Sequence, residues 1–421
     1  MLLSLARMGS RFTRLWIAQS VSELGTGLHL VAFPLLATTM TSDPRLIAAL
    51  ALVSAAPGLL LALPIGVWVD RSHRGRLMAG SDLTCVLLIA LLLLAWSLGA
   101  LQLWVLFVLA AGLGIAELVF GTSTFALLPS LVVEPDLLRA NSLLSVSREV
   151  GAGVLGPALG GLAFAVTPLL PFALNGVSYL VSSLIIGSFA WRGTTKAPRV
   201  LTAAADGLTR ADQSWRTELT AGVAYLRQHK AARTTLVLSA TAGLFGWMPE
   251  ATFVLFAKDE LHTSTYGFGL LLGVTTVGAV VGGILVGKFA DRINTVVLLQ
   301  VTYLTYGLLL IPIAFLSSSW IAAGVFFVQG LPLIACDTAS RSLQQRIVPA
   351  ELLGRVGAVN RLVSSAVIPI SLFAGGMLGH WLGLRAVWAI AGGGFLAAFA
   401  LNLSGIRALS KQWPTDASQT T

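Results

Sequence analysis

Long apolar runs separated by short polar segments follow one another along the whole chain. Twelve of these runs have about the length that an α-helix needs to cross a bilayer, roughly 20 residues. The short alternating segments typical of a transmembrane β-barrel are not found. The pattern therefore predicts an all-α integral membrane protein, with spans near residues 15–39, 46–69, 77–98, 103–127, 143–166, 170–191, 233–256, 266–287, 295–316, 320–340, 357–379 and 386–407.

Composition supports this class and charge predicts its orientation. Apolar residues make up 56% of the chain and charged residues only 11%, whereas soluble domains carry about a quarter charged residues. The net charge of +9 would fit a nucleic-acid-binding protein. With the N-terminus in the cytoplasm, however, all but three of the 27 Lys and Arg fall on the cytoplasmic side, the exceptions being Arg45, Lys258 and Arg385. The positive-inside rule then predicts an N-in/C-in topology and no nucleic-acid partner.

Motifs of catalysis and metal binding are missing from the sequence. It has no Gly-x-x-x-x-Gly-Lys-[Ser/Thr] phosphate loop and no recognisable zinc cluster or Ser/His/Asp arrangement. Cys85 and Cys336 lie inside spans 3 and 10, which predicts buried thiols rather than a disulfide framework. We expect neither a cofactor, nor a metal, nor an enzymatic activity.

The longest polar interruption divides the chain into two halves. It covers residues 192–232, between six-span segments at 1–191 and 233–421. Its first part is small, polar and weakly patterned, as expected of a linker. Its second part places Trp215, Leu219, Val223 and Leu226 at helical spacing, which predicts an amphipathic helix at the inner membrane surface.

A motif repeats across this midpoint. Gly-x-x-x-Asp-Arg follows span 2 and recurs 221 residues later, after span 8, at Gly66, Asp70 and Arg71 and then at Gly287, Asp291 and Arg292. Similarly, PDLLR before span 5 recurs as AELLG before span 11. Parallel repeats joined by a cytoplasmic linker are a known transporter architecture.

The stretch GVWVDRSHRGR, residues 66–76, resembles the loop 2–3 signature of the major facilitator superfamily, Gly-x-x-x-Asp-Arg-x-Gly-Arg-Lys. His73 replaces the second Gly, and Gly75 replaces the Lys. LPIGVWVDRSHRGRLMAGSDL, FALLPSLVVEPDLLRANSLLSVSREVGAGVLGPALGG and SLQQRIVPAELLGRVGAVNRL are similar to the enterobactin-exporter and macrolide-efflux branch. The resemblance implies two six-helix bundles that alternate access to a central cavity.

Span 5 carries a second signature. Gly156-Pro157-x-x-Gly160-Gly161 resembles the core of the antiporter motif, with Ala152 at the place of the upstream Gly. A Gly-Pro pair permits close helix approach and a kink. Close packing alone also explains glycine-rich spans, so the motif favours export only together with the branch resemblance.

The resemblance also implies a cytoplasmic gate. The loop 2–3 Asp of the superfamily docks across the two halves, so Asp70 would meet the start of span 11 near Gly357, and Asp291 the start of span 5 near Asn141. A carboxylate is stabilised at a helix N-terminus. The alternative is that the basic residues only anchor topology and the Asp caps a turn. The predicted gate residues are Gly66, Asp70, Arg71, Arg74, Arg76, Asp291, Arg292, Arg148 and Glu149.

Spans 1, 4, 7 and 10 each contain one carboxylate: Glu23, Glu117, Glu250 and Asp337. Ionisable groups within spans are costly and usually functional, and the resemblance implies that these four helices line the central cavity. Glu23 and Glu117 are the candidates for proton coupling. The alternative for each is a hydrogen bond to a neighbouring helix.

Three further residues are candidates for the substrate cavity. Glu250 follows Pro249 and either binds substrate or holds a kink. Asp337 and Arg341 are four residues apart, which favours a structural ion pair. His29 is either a proton relay or an interior histidine, and the second interpretation is favoured.

Together these features predict a proton-driven exporter of a small amphipathic or hydrophobic compound, such as a siderophore, a macrolide or a related natural product. The expected location is a bacterial cytoplasmic membrane, and the expected partners are lipid and a small molecule, with the protein a monomer. Two alternatives stay open: an importer or facilitator on the same fold, and a membrane sensor that transports nothing.

Overall fold

The computed structural model describes residues 8–133, 136–190, 220, 222–289 and 294–412, with the backbone alone for some helical residues, among them Asp337 and Arg341. Regular secondary structure within these ranges is entirely helical, because a backbone in lipid must satisfy its own hydrogen bonds. The main helices of the first half are α1 Ser10–Thr38, α2 Pro44–Leu60, α3 Ala62–Arg71, α4 Arg74–Ser97, α5 Leu103–Leu127, α6 Leu137–Arg148, α7 Gly156–Val166 and α8 Leu170–Ala190. The second half contains α9 Lys230–Glu250, α10 Thr265–Phe289, α11 Thr295–Ile313, α12 Ser319–Ile347, α13 Ala350–Leu382, α14 Leu384–Leu401 and α15 Leu403–Gln412.

Ten helical stretches of the described chain are long and apolar enough to cross a membrane, and a bent pair would make an eleventh. The pair is α2 with α3, which meet at 58° around Leu61. Pro64 lies in the first turn of α3 and has no N–H to continue the hydrogen bonding of α2, which explains the break. The seventh predicted span overlaps α9, which is not among these candidates. The total of twelve spans and the N-in/C-in orientation stay predictions.

Contacts divide the chain into two compact units. Unit 1 consists of Met1–Arg199 with Thr263–Gly273, and unit 2 of Val200–His262 with Val274–Thr421. Unit 1 includes the beginning of α10, where a side chain on Gly269 would collide with the Pro157 carbonyl. The boundaries 1–191, 192–232 and 233–421 stay predictions.

Helix α1 occupies the centre of unit 1. It packs along α8, along α7 and along a π-helical segment, Glu149–Leu155, that joins α6 to α7. One end of the unit is closed by apolar side chains that are buried, among them Phe12, Leu15 and Met78. A central α1 brings its polar residues within reach of three other helical segments.

Glycines allow α1 to approach the α6–α7 segment closely. A Cβ on Gly27 would lie 2.7 Å from Gly156 Cα and 2.8 Å from the Gly151 carbonyl oxygen. A Cβ on Gly160 would lie 2.9 Å from the Leu28 carbonyl oxygen. Pro157, which has no N–H, lies two residues after the end of the π-helix, and the backbone departs from α-helical hydrogen bonding just before it. The glycine motif of span 5 therefore forms a packing surface for α1.

Unit 2 is stabilised by aromatic packing and by the hydrogen bonds of one arginine. Tyr303 packs against Phe395 with ring centroids 4.4 Å apart. Arg385, at the start of α14, donates to Glu260 at 2.6 Å and to the Ala314 carbonyl at 3.1 Å. This one guanidinium joins the ends of three chain segments.

The described part of the predicted amphipathic helix, residues 222–228, packs on protein within unit 2. Tyr225 donates from its hydroxyl to the Ile347 carbonyl at 3.1 Å, and the ring of His229 stacks on it at 3.9 Å. Leu226 is buried, whereas Val223 is exposed. Trp215 and Leu219 lie outside the described residues. Part of the apolar face that was predicted to lie on the membrane surface therefore covers the ends of α12 and α13.

We predict that Gly27→Ala destabilises the protein. The added Cβ would meet backbone atoms that cannot rotate away, and overpacking of this kind costs roughly 1–3 kcal/mol. Thermal unfolding in detergent should show a lowered midpoint. Gly80→Ala is the matched control, because a Cβ on Gly80 meets nothing within 4 Å and alanine is the better helix former. Equal midpoints for the two variants would contradict the close packing of α1.

Candidate functional site

Glu23 and Arg148 form an ion pair inside unit 1. Arg148 Nε lies 3.2 Å from Glu23 Oε1, and Gln19 Nε2 donates to the same oxygen at 3.2 Å. The Glu23 side chain is only 14% exposed, whereas that of Arg148 is 61% exposed. Gly151 permits the contact, because a Cβ there would lie 3.2 Å from the Glu23 Cβ. The first proton-coupling candidate thus has a cationic partner from another helix.

Glu117, the second candidate, is joined to two other helices by hydroxyl groups. The Tyr179 hydroxyl of α8 donates to Glu117 Oε1 at 3.4 Å. The same hydroxyl lies 3.2 Å from Thr26 Oγ1 of α1. Tyr179 is almost fully buried, whereas Glu117 is exposed to an open cavity. A carboxyl group placed in this way can meet a ligand on one side and exchange a proton on the other.

The cavity has a volume of about 570 Å³ and lies within unit 1. Its wall combines charged, polar and apolar groups, as would suit a ligand with both apolar and polar parts. Drug-sized ligands occupy pockets of about 300–1,000 Å³. The lining residues include Gln19, Glu117, Arg148, Thr122, Asn141, Ser145, Leu118, Phe120, Phe125 and Leu144.

Unit 2 has a carboxylate of its own in Glu250. It ends α9 directly after Pro249 and is exposed. The Tyr306 ring of α11 lies near Glu250. Unit 2 therefore contains a carboxyl and a tyrosine in proximity, as unit 1 does with Glu117 and Tyr179.

His29 packs among aromatic rings rather than on the cavity wall. Its ring lies 4.8 Å from Phe33 and 6.1 Å from Phe172 between centroids. Its Nδ1 has no hydrogen-bond partner among the described residues. These contacts fit the interpretation as an interior histidine.

The gate residues of the first loop are located, but the docking of Asp70 stays a prediction. Asp70 lies 3.7 Å from Arg74, and its side chain is 63% exposed. Arg74 donates to the Ala126 carbonyl of α5 at 2.7 Å. Arg71 and Arg76 are exposed, and a Cβ on Gly66 would meet nothing within 4 Å. No close helix approach therefore requires glycine at position 66 in this part of the chain.

Some of the predicted site residues lie outside the described part of the chain, and two others lie where α6 meets the π-helical segment. Asp291 and Arg292 lie outside the described residues, as does the side chain of Asp337. Arg148 ends α6, which begins at Leu137, and Glu149 begins the π-helical segment; their role in the gate stays a prediction. Arg148 is positioned beside Glu23, while Glu149 is exposed on the π-helical segment.

Asp82 of α4 is a buried carboxyl that the sequence analysis passed over. It is 2% exposed and lies about 12 Å along its helix, at 1.5 Å per residue. The available signal was a lone Asp in the first half of an apolar run, LMAGSDLTCVLL. The family resemblance places span 3 outside the helices that line the cavity, so a carboxyl there was not expected to be functional.

Comparison with known proteins agrees with this architecture. The sequence matches the Major Facilitator Superfamily over residues 15–371, with a second match over residues 235–416. It is 23% identical to macrolide efflux protein A of Streptococcus pyogenes over 399 residues, covering 93% of this chain and 94% of that protein. It is 26% identical to the multidrug efflux pump Tap of Mycobacterium bovis over 381 residues, covering 88% of this chain and 87% of that protein.

Solved structures share the fold at low identity. A bacterial homologue of the iron transporter ferroportin, in an inward-facing state, superposes with a TM-score of 0.70 at 19% identity, covering 94% of this chain and 98% of that chain. A bacterial homologue of the human lysosomal transporter Spinster gives a TM-score of 0.69 at 15% identity, covering 96% and 99%. The chain belongs to the major facilitator superfamily and is a multi-span transporter of the cell membrane. Its family and fold are those of membrane transporters rather than enzymes.

We predict a measurable coupling energy between Glu23 and Arg148. Removing the guanidinium in Arg148→Gln leaves a mostly buried carboxylate with Gln19 as its remaining partner. Glu23→Gln in the same chain should recover part of that loss, with a coupling of about 1 kcal/mol for a pair half open to solvent. The measurement is the unfolding free energy of the two single variants and the double variant in detergent.

The pair Asp43 and Arg45 is the control for this cycle. Its atoms approach to 2.8 Å, yet it lies at the exposed start of α2, where ion pairs contribute little. A cycle on Asp43→Asn and Arg45→Gln should give the smaller coupling. The reverse order would show that Glu23 does not depend on Arg148.

Proposed function

We propose that this protein is a proton-coupled exporter of a small amphipathic or hydrophobic compound, of the chemical kind represented by macrolides and siderophores. The proposal depends chiefly on Glu117, which is exposed to a cavity of about 570 Å³ and joined on its protein side to the Tyr179 hydroxyl. Macrolide and multidrug efflux proteins among the relatives support the direction and the substrate class.

The coupling follows from competition at Glu117. A substrate with a polar or cationic group and an apolar body occupies the cavity, with Phe120, Phe125 and Leu144 against the apolar part. Its polar group interacts with the ionised Glu117, which gives up a proton. When a proton returns to Glu117, the carboxyl loses its charge and the substrate leaves. Each ligand favours a different state of the carboxyl, which is the differential interaction that a population shift requires.

Glu23 controls the position of Arg148, the second charged residue that lines the cavity. In its ionised form it holds Arg148 at 3.2 Å; protonation would weaken that bond and release the guanidinium toward the cavity. The loop containing Asp70 and Arg74, with its repeat at Asp291, would close the cytoplasmic side by docking at helix N-termini. The rocking of one six-helix half against the other would expose the cavity to each side in turn.

Transport by inside-out vesicles tests the proposal. With an acid-inside pH gradient and a panel of macrolides and siderophores, the unchanged protein should accumulate substrate while protons leave. Glu117→Gln should abolish gradient-driven accumulation, because an amide cannot exchange the proton. Glu23→Gln should reduce it, because Arg148 then lacks its counter-charge.

Asp259→Asn serves as the matched control, since it removes an exposed carboxylate that does not line the cavity. It should transport as the unchanged protein does. Substrate flux that ignores the gradient, equal in all four proteins, would overturn proton antiport and leave a facilitator. Accumulation under an alkaline-inside gradient would instead indicate an importer in this orientation.

A further inference from the structure

Asp82 is enclosed by protein without an ionic partner. The residue is 2% exposed and lies on α4, which packs along α8 and α5. Its Oδ2 completes no hydrogen bond with any residue that the structure describes. A buried carboxylate left in this state is costly by several kcal/mol, whereas the neutral acid is far less so. A purely structural position would be filled at lower cost by an apolar or amide side chain.

The polar neighbour of this carboxyl is Ser182 of α8. Ser182 is fully buried, and its Oγ also lacks a hydrogen bond within the described ranges. The next residue, Ser183, donates to the Ala79 carbonyl at 2.9 Å and so fixes the register of α8 against α4. The two unsatisfied groups therefore face each other across a well-defined helix interface.

The charged and titratable groups around Asp82 offer no compensating cation. Cys85 on the same helix, Tyr179 of α8 and Glu117 of α5 are near enough to interact electrostatically with one another or with Asp82. Helix α3 contributes Asp70 and Arg71, both exposed. Two basic residues precede Asp82 on its own helix. Arg76 is exposed, and Arg74 is bound to Asp70 and to the Ala126 carbonyl. Asp82 forms no ion pair in the described part of the chain.

Two hydroxyl groups of α8, those of Ser182 and Tyr179, lie between this site and the cavity. Tyr179 precedes Ser182 by three residues on α8, which places both on one face of the helix. The Tyr179 hydroxyl then donates to Glu117. Ser182, on the Asp82 side, and Tyr179, on the Glu117 side, therefore share one face of α8 between the two carboxyl groups.

We propose that Asp82 is a second proton-binding site, which stores the proton that Glu117 gives up when substrate occupies the cavity. This inference rests on the proposed proton coupling at Glu117. The transfer moves one proton from one carboxyl group to the other and changes no other bond; because Ser182 Oγ makes no hydrogen bond in the described residues, its hydroxyl has to rotate to complete the path. The ligand of the site is the proton itself.

The first test measures the proton without any transport. Infrared difference spectra of the purified protein, recorded across a pH titration, show the carbonyl band of each protonated carboxyl. Asp82→Asn should remove one such band, since asparagine keeps the shape and the neutral charge of the protonated acid but carries no carboxyl proton. Ser182→Ala should shift the same band, and Asp259→Asn should leave it in place.

The second test connects the site to transport. In the vesicle assay, Asp82→Asn should still bind substrate and allow downhill flux, but its accumulation should lose the pH profile of the unchanged protein. An unchanged pH profile together with an unchanged infrared band would overturn the inference. If Asp82→Asn does not fold, Ser182→Ala decides, because a structural role predicts a stability loss without any band shift.

The two proposals fail in different ways. Suppose that the band disappears in Asp82→Asn, while neither the unchanged protein nor any variant shows gradient-driven transport. That result would support the proton site at Asp82 and overturn proton-coupled export. Gradient-driven transport lost in Glu117→Gln but identical in Asp82→Asn, with no band change, would keep the coupling and overturn the second site.

Discussion

Polar groups of this chain lie in an apolar environment, where each unpaired one costs several kcal/mol. The backbone meets this constraint by forming helices throughout the described residues. The few charged side chains cannot meet it alone and need partners from other helices. Glu23 finds Arg148 and Gln19, and Glu117 finds Tyr179. The pairing of these groups connects α1, α5, α8 and the α6–π-helix junction around one cavity.

Close helix packing makes that pairing possible. Arg148 reaches Glu23 only because the turn that follows it contains Gly151, where any side chain would meet the backbone of α1. Gly27 and Gly156 continue the same contact further along. The π-helical segment between Arg148 and the Gly-Pro pair has a wider turn than an α-helix, and such segments are frequent at functional sites. The residues that pack against α1 and the arginine that pairs with Glu23 therefore lie in the same short stretch of span 5.

The helices themselves were largely predictable from the pattern of apolar residues. Span 4 was predicted at 103–127, where α5 is found. The start of span 5 was predicted late, because LLRANSLLSVSR is too polar to be recognised as part of a membrane helix. The break between α2 and α3 was missed, although Pro57 and Pro64 mark the region. Polar residues in α9 kept it from counting as a span by composition alone.

The carboxyl groups divide into those whose place in the sequence already marked them as functional and one, Asp82, whose significance only the structure shows. Glu23 and Glu117 stood out because an ionisable residue in the middle of an apolar run is rare and costly. Asp82 lay in a run that begins with polar residues, and its significance depends on burial against α8 and on the unsatisfied Ser182. Neither can be read from one chain position, because both are properties of an interface between helices distant in sequence.

By itself the sequence determined that this chain is an all-α membrane protein, and it marked the carboxyl groups in spans 1, 4, 7 and 10; the transporter class came from its resemblance to a known family. Apolar run length and residue spacing along one helix are local quantities, so they carry this information directly. Which helix faces which, and at what depth, depends on packing between residues more than a hundred positions apart, as with Glu23 and Arg148. Only the tertiary structure therefore decided that Arg148 pairs with Glu23, that Tyr179 donates a hydrogen bond to Glu117, and that Asp82 is buried without a counter-charge.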